Sequence, residues 1–272
     1  MTLPSVLAHL RAHGVEPNKA LGQNFITDLN ITDKIVLFAG PLPGHTVIEI
    51  GPGPGGLSRS ILEHRPEQLV VVEQDQTLTN LLEEIKGYHS NFSVYFADAL
   101  KTDVTALGPA PRKIIANLPY NIATPLMLRW LEKWHSDPHS FSSLTLMFQK
   151  EVVDRLIAKP RSKAYGRLSV MVQWICEVEA KFHLPPHVFL PPPKVTSTVA
   201  HFVRRPHADG TFKHMEKVVA AAFSQRRKTL KKAMRNNFPD IENVLNKIGI
   251  APTARAEELS VAQFTQLAGA LE

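Results

Sequence analysis

The chain is poor in cysteine, and this scarcity excludes several classes of protein. Among 272 residues there is one cysteine, Cys176, so a disulfide framework and a cysteine-based zinc cluster are both excluded. No apolar run approaches the roughly 18 residues of a membrane span, and the first residues lack the pattern of a secretory signal. The twelve histidines lack metal-ligand spacing. We therefore predict a cytoplasmic protein that binds neither a membrane nor a metal.

A strong overall charge is also lacking, although one segment is very basic. The 31 Lys and Arg residues exceed the 25 Asp and Glu residues by six. Residues 204–237 contain ten of the basic residues and two acidic ones, a net charge of +8, whereas the other 238 residues have a net charge of −2. A local positive patch is typical of proteins that bind a polyanion.

The pattern of apolar residues predicts an α/β domain followed by a helical one. Apolar runs alternate with helical patterns up to about residue 160, which predicts a parallel sheet with helices on both faces. Two further strands, 177–184 and 196–203, are predicted to form an antiparallel pair at one edge. Only helical patterns follow Pro206, so the predicted domains are 1–206 and 207–272. The first five predicted strands are 46–50, 69–73, 92–96, 113–116 and 143–148.

A glycine-rich turn, Gly51-Pro-Gly53-Pro-Gly55-Gly56, follows the first of these strands. Glycines at this point let the backbone turn sharply and approach a ligand at the positive end of a helix. Glu73 ends the next strand, 22 residues beyond Gly51, where a carboxylate accepts hydrogen bonds from ribose hydroxyls. Both features suit a nicotinamide dinucleotide as well as S-adenosylmethionine.

Two further acidic residues favour S-adenosylmethionine. Glu49 directly precedes the glycines, where a carboxylate disfavours a pyrophosphate but tolerates a cationic ligand. Asp98 follows the third strand, where it could accept the exocyclic amine of an adenine. The alternative is that these acids simply cap helices. The pattern predicts a Rossmann-like sheet of the class I S-adenosylmethionine-dependent methyltransferases.

The segment Asn117-Leu118-Pro119-Tyr120 follows the fourth strand, at the same edge of the sheet as the glycine turn. Proline holds Leu118 extended, which brings the Asn117 side-chain oxygen and the Leu118 carbonyl toward one point. Two such acceptors can bind the N–H groups of an adenine amine and free its lone pair to attack a methyl group. The alternative is a plain Asn-Pro turn.

Three motifs together resemble the ribosomal RNA adenine N6,N6-dimethyltransferase family. They are Gly22-Gln-Asn-Phe25, Asn117-Leu-Pro-Tyr120 and Phe189-Leu-Pro-Pro-Pro-Lys-Val-Thr-Ser197, and the resemblance extends over nearly the whole chain. It is strongest to the bacterial small-subunit branch. The resemblance implies a cofactor site lined by Asn24, Ile26, Gly51, Gly53, Glu73, Asp98 and Asn117. Position 26 is often Leu in the family, and the family turn has fewer glycines, so the role of Gly55 is open.

Two aromatic residues and one basic segment are predicted to hold the substrate. Tyr120 and Phe189 could stack on both faces of a flipped adenine, although Phe189 could instead be a core residue beneath its loop. A helix over 223–235 is predicted to present a basic face to RNA phosphates, and the loop 161–167 could extend it. The predicted RNA contacts are Arg226, Arg227, Lys228, Lys231, Lys232 and Arg235.

The expected function is dimethylation of the N6 amino groups of two adjacent adenosines near the 3′ end of small-subunit (16S) rRNA. The expected partner is this rRNA within an immature small ribosomal subunit, and the expected enzyme is a monomer that uses S-adenosylmethionine. Three alternatives remain open. They are a large-subunit rRNA or tRNA adenine methyltransferase, a nicotinamide-dependent oxidoreductase with the same glycine turn, and a ribosome-assembly factor whose binding role outweighs its catalysis.

Overall fold

The computed structural model describes residues 3–206 and 208–272. Its contacts divide the chain into two compact units. The first contains the chain up to Lys150 and the segment Glu179–Val203, and the second contains Glu151–Val178 and Arg204–Glu272. Residues 151–178 therefore pack with the C-terminal part of the chain. The predicted boundary at residue 206, between a catalytic domain and a helical RNA-binding domain, stays a prediction.

The described residues form strands and helices with the following bounds. The strands are β1 (Phe25–Ile26), β2 (Thr46–Ile50), β3 (Gln68–Glu73), β4 (Phe92–Phe96), β5 (Arg112–Ala116), β6 (Ser143–Gln149), β7 (Cys176–Leu184), β8 (Phe189–Leu190) and β9 (Ser197–Arg204). The helices are α1 (Val6–Ala12), α2 (Leu29–Phe38), α3 (Gly56–Glu63), α4 (Thr79–Tyr88), α5 (Tyr120–Ser136), α6 (Lys150–Leu156), α7 (Arg167–Ile175), α8 (Phe212–Ala222), α9 (Leu230–Met234), α10 (Ile241–Lys247) and α11 (Val261–Ala270).

Seven strands form one sheet in the order β4-β3-β2-β5-β6-β9-β7. Strands β2 to β6 are parallel to their neighbours, and β9 joins β6 in the antiparallel sense. The predicted parallel sheet is confirmed, with β7 and β9 side by side at one edge. Because parallel strands end at the same edge, the segments after β2, β3, β4 and β5 lie together there.

A buried apolar cluster on the sheet holds these strand ends in place. Every residue of β2 is buried, which accounts for its unbroken apolar run. Val47 and Val71 of the sheet belong to the same buried cluster as Ile61 of α3 and Ile85 of α4. The glycine turn therefore connects a fixed strand to a fixed helix.

The second unit is built around helices α7, α8 and α11, which pack on one another. The half-buried Phe223 stacks on the buried Phe264 with ring centroids 5.7 Å apart. The Tyr165 hydroxyl donates a hydrogen bond of 2.9 Å to the Leu259 carbonyl and joins the loop after α6 to the C-terminal helices. Over the described ranges, no helix is both long enough and apolar enough to cross a membrane.

Candidate active site

A single cavity at the carboxyl ends of the parallel strands brings most of the predicted site residues together. Its walls come from the segments that follow β2, β3, β4 and β5, and from residues 20–26, which precede the sheet in the chain. The predicted residues in these walls are Asn24, Ile26, Gly51, Gly53, Glu73, Asn117, Leu118, Pro119 and Tyr120.

The glycine turn is shaped by left-handed backbone and by close packing. Gly51, Gly53 and Gly55 have φ values of 67°, 55° and 76°, which side chains rarely adopt. A Cβ atom on Gly53 would lie 2.8 Å from two ring carbons of Phe25, and one on Gly55 would lie 2.3 Å from a methyl carbon of Ile85. Gly55 thus has a packing role at the start of α3, which answers the question left open by the sequence.

Two buried carboxyl groups lie beneath the turn. Glu49 accepts a hydrogen bond of 2.5 Å from the Ser58 hydroxyl, and its burial, with the nearby charge of Glu73, raises the pKa of its carboxyl group to about 8. Burial also raises the pKa of Glu73. Three backbone N–H groups bind the Glu73 carboxylate, those of Gly53, Gln74 and Asp75, at 3.2, 2.8 and 2.9 Å. Glu73 is thus held at the cavity wall, and its Oε2 atom still has one lone pair available to a hydroxyl group.

Asp98 is not among the cavity walls, although its neighbours Ala97 and Ala99 are. One carboxylate oxygen accepts a hydrogen bond of 2.9 Å from the Leu100 N–H, and the other lies 3.6 Å from the Lys101 ammonium. The Asp98 carboxylate therefore closes the turn at residues 99–101, which is not the helix cap that the sequence left as an alternative. A contact from Asp98 to an adenine stays a prediction.

The structure fixes the orientation of the Asn117 side chain. Its Nδ2 donates a hydrogen bond of 3.0 Å to the backbone carbonyl of Asn24. Because the amide nitrogen is engaged there, the amide oxygen Oδ1 is the end left for a ligand donor. Pro119, with φ −55° and ψ 130°, caps α5, which begins at Tyr120.

Tyr120 is anchored from a distant strand. Its hydroxyl lies 2.6 Å from the hydroxyl of Ser197, a fully buried residue at the start of β9, and burial raises the pKa of Tyr120. This bond connects the Asn117–Tyr120 segment to the proline-rich motif that precedes β9. The Tyr120 ring remains in the cavity wall.

Phe189 does not line the cavity, and the structure places it in the core. Its side chain is 3% exposed and belongs to the apolar cluster beneath the sheet edge. Strand β8 pairs with β1, which sets Phe189 opposite Ile26. The prediction that Phe189 stacks on a base is not met by this arrangement, and the alternative of a core residue describes it. The two-residue pairing could not be seen from the sequence because its halves are 163 residues apart.

Residues 18–26 form a lid over the cavity. Three residues that hold the site in place, Gln23, Asp75 and Ser197, were not identified in that role from the sequence. Gln23 donates a hydrogen bond of 2.8 Å to the Asp75 carboxylate and accepts one of 2.7 Å from the Asn18 N–H. Gln23 and Ser197 lie within the quoted motifs, and Asp75 lies two residues beyond Glu73. For Gln23 and Ser197, membership of those motifs was the available signal.

The basic segment 226–235, considered within the second unit alone, does not form one helix, so the prediction of a continuous helix over 223–235 is wrong. Helix α8 ends at Ala222, turns occupy 223–227, an irregular link follows at 228–229, and α9 covers Leu230–Met234. The Ser224 hydroxyl bonds to the carbonyls of Ala221 and Ala233, and the Leu230 N–H donates to Ala254, so distant partners replace helical ones.

All six predicted RNA-binding residues are exposed in this segment. Two of them have acidic partners, since Arg226 lies 3.4 Å from Glu257 and Lys231 lies 2.6 Å from Glu242. Arg226 also donates to the carbonyl of Lys163, which brings the loop 161–167 beside the segment. Within residues 3–206 and 208–272, the other four have no ion-pair partner. They are Arg227, Lys228, Lys232 and Arg235.

One cluster outside the cavity has metal-ligand composition. His9, His13 and Glu84 lie together, and the Nε2 atom of each histidine is 2.9 Å from the same Glu84 oxygen. Arg59 lies 2.6 Å from His9 Nδ1 and can only donate there, so the His9 proton is on Nε2 and bonds to Glu84. The prediction that the histidines lack metal-ligand spacing is wrong for His9 and His13, which are four residues apart.

Comparison with known proteins gives the family. The family model described as ribosomal RNA adenine dimethylase matches residues 14–272. The ribosomal RNA small subunit methyltransferase A of Paramagnetospirillum magneticum is 46% identical over 273 residues, which cover 99% of this chain and 95% of that protein.

Two solved structures have the same fold. A dimethyladenosine transferase from Plasmodium falciparum matches with a TM-score of 0.74 and 25% identity, covering 88% of this chain and 94% of its own. The 23S rRNA methyltransferase ErmE matches with a TM-score of 0.69 and 26% identity, covering 91% and 99%. The predicted resemblance and fold class are confirmed, and family and fold are those of S-adenosylmethionine-dependent methyltransferases. The chain belongs to the ribosomal RNA adenine dimethylase family.

Proposed function

We propose that this protein uses S-adenosylmethionine to dimethylate the N6 amino groups of two adjacent adenosines near the 3′ end of small-subunit (16S) rRNA. We place this reaction in the cytoplasm, on the rRNA of an immature small ribosomal subunit, and assign it to a monomer. Support comes from the family and from the name of the Paramagnetospirillum magneticum relative, a small subunit methyltransferase. The orientation of the Asn117 amide is the observation that carries the chemistry.

The cavity residues suit a cationic nucleoside cofactor. Glu49 and Glu73 bring two carboxyl groups to one wall, and Glu73 can accept from ribose hydroxyls at the end of β3. Asn24 and Ile26 of the lid also line the cavity. S-adenosylmethionine supplies a methyl group activated by a positively charged sulfur, and N6 loses one proton for each methyl group that it gains.

The residues after β5 orient the nucleophile. Asn117 Oδ1 and the Leu118 carbonyl accept the two N6–H groups, which favours a pyramidal nitrogen with an available lone pair. The acceptors are fixed before the substrate arrives, because Asn24 holds the Asn117 amide and Pro119 fixes the turn. Tyr120, tethered to Ser197, offers one aromatic face to the adenine.

Substitution Asn117→Ala tests this proposal. We expect turnover on unmethylated small subunits to fall about 100-fold or more, since an oriented acceptor is lost, while calorimetry still detects S-adenosylmethionine binding. Asn246→Ala, which removes an exposed amide in the second unit, is the control and should keep full activity. Full activity of Asn117→Ala would exclude the assigned role.

The alternatives are tested with the same preparation. Methyl transfer to large-subunit rRNA in preference to small-subunit rRNA would favour the function named for ErmE, which this fold resembles. Calorimetric titration with NAD should show no binding, whereas binding of NAD and none of S-adenosylmethionine would support an oxidoreductase. If Asn117→Ala binds immature subunits and restores their maturation, the assembly role outweighs catalysis.

A further inference from the structure

We infer that Gln23 and Asp75 form a latch that positions the catalytic amide of Asn117 through the lid, residues 18–26. The inference deepens the proposed function and depends on Asn117 as the acceptor of the adenine amine. The Gln23 side chain bonds to Asp75 and to the Asn18 N–H rather than to Asn117, so Gln23 is a positioning residue. Asp75, just after β3, holds Gln23 in the lid, and the lid backbone fixes Asn24. Asn24 in turn holds Asn117, which follows β5.

The first step is the bond between Gln23 and Asp75. Gln23 Nε2 donates to Asp75 Oδ2 at 2.8 Å, and Asp75 is only 7% exposed. The other carboxylate oxygen of Asp75 accepts from the backbone N–H and the hydroxyl of Thr77, at 3.0 and 2.6 Å. Asp75 is thus immobilised at the sheet edge and offers one oxygen to the lid.

The second step holds the lid in a single conformation. Gln23 Oε1 accepts from the Asn18 N–H at 2.7 Å, so both ends of its side-chain amide are used. The preceding residue, Gly22, has a φ of 67°, and a Cβ atom there would lie 3.3 Å from Asn121 Oδ1 and 3.6 Å from Pro119. The lid therefore rests against the start of α5, next to the catalytic segment.

The third step transfers this conformation to Asn117. The residue after Gln23 is Asn24, whose backbone carbonyl accepts the Asn117 Nδ2 hydrogen bond at 3.0 Å. Without that carbonyl, a rotation of 180° about the last side-chain torsion would exchange Oδ1 and Nδ2 and offer a donor to the adenine amine. Displacing Asn24 by about 1 Å would remove the preference for the productive orientation.

The remaining contacts show why the latch is needed. Asn18, Lys19 and Ala20 are exposed, and this part of the lid contributes no residue to the buried core. Phe25 and Ile26 are buried at the far end, where β1 pairs with β8. Asn24 lies between an anchored end and an exposed end, and the Gln23 side chain secures the exposed one.

The test reverses the donor and acceptor of the latch. Gln23→Glu places a carboxylate against Asp75, and we expect turnover to fall about tenfold or more with little change in KM for RNA. Adding Asp75→Asn restores one hydrogen bond of opposite polarity, and the double variant Gln23→Glu/Asp75→Asn should recover most of the turnover. Glu16→Ala, an exposed position just before the lid, is the control.

A readout without substrate separates positioning from general damage. The Asn117 side-chain NH2 signal in a 15N NMR spectrum is identified as the signal that Asn117→Ala lacks. We expect it to shift and to exchange faster with water in Gln23→Glu, and to return in the double variant, with melting temperatures reported for each.

The outcomes are distinct for the two proposals. An unchanged Asn117 signal and unchanged turnover in Gln23→Glu would overturn the latch, as would a double variant that folds but recovers neither. If Asn117→Ala is itself fully active, the proposed function of Asn117 fails, whereas the NMR result still decides whether Gln23 orients its side chain.

Discussion

At the scale of single residues, the protonation of Glu49 should be linked to cofactor binding. Burial raises the pKa of Glu49 to about 8, so the free protein holds this carboxyl group protonated at neutral pH. A cationic ligand favours the ionised form and lowers this pKa, so binding releases a proton below about pH 8. Affinity for S-adenosylmethionine should therefore rise from about pH 6 to about pH 8 and then level off.

Calorimetry in two buffers of different ionisation enthalpy measures the proton release directly. We expect up to about one proton per binding event at neutral pH, and a smaller release in Glu49→Gln, whose amide cannot ionise. Glu73 is unchanged in that variant, and burial raises its pKa as well. Equal proton release in the wild-type protein and in Glu49→Gln would show that Glu49 is not the group involved.

At the scale of elements, the glycine turn and the lid should behave as one packed unit. Gly53→Ala places a methyl group 2.8 Å from the Phe25 ring at a φ of 55°, so we expect a loss of about 1–3 kcal/mol in the free energy of unfolding. Denaturant unfolding measures this loss. Phe25→Leu in the same chain should recover part of it, because the smaller side chain leaves room.

Gly87→Ala is the matched control for this substitution. Gly87 lies within α4, has no neighbour within 4 Å of a Cβ atom, and does not have a positive φ. Alanine there should leave stability unchanged or raise it by up to about 1 kcal/mol. Equal losses at positions 53 and 87 would contradict packing of the lid against the turn.

Elements that depend on local sequence could be predicted, and those that depend on distant partners could not. Strands β2 and β3 were predicted because they are buried runs of apolar residues between helical patterns. The pairing of β1 with β8 has no local signal. The break before α9 has no local signal either. The sequence around Leu230 has a helical pattern, and the hydrogen bond from the Leu230 N–H to the Ala254 carbonyl forms only in the folded chain.

At the scale of the whole molecule, the candidate site also contains features that the sequence predicts and contacts that it does not predict. The residues at the carboxyl ends of parallel strands, such as Gly51, Glu73 and Asn117, were placed correctly because topology brings strand ends together. The side-chain contacts that orient them were not predictable, because periodicity says which face a residue occupies and nothing about which atom it meets. Asn24 with Asn117 and Tyr120 with Ser197 are contacts of this second kind.

The uneven charge of the chain should appear in the salt dependence of RNA binding. Each cation that neutralises a phosphate contributes about 0.7 to 0.9 to the slope of log affinity against log salt. Arg227 and Lys232 have no acidic partner among the described residues. The variant Arg227→Gln/Lys232→Gln should therefore lower the slope for unmethylated small-subunit rRNA by about 1.5, as measured by filter binding at several salt concentrations.

The control Lys86→Gln/Lys247→Gln removes the same charge from α4 and α10 and should leave the slope nearly unchanged. Equal changes in the two variants would mean that overall charge attracts the RNA, and that the basic segment is not its binding site.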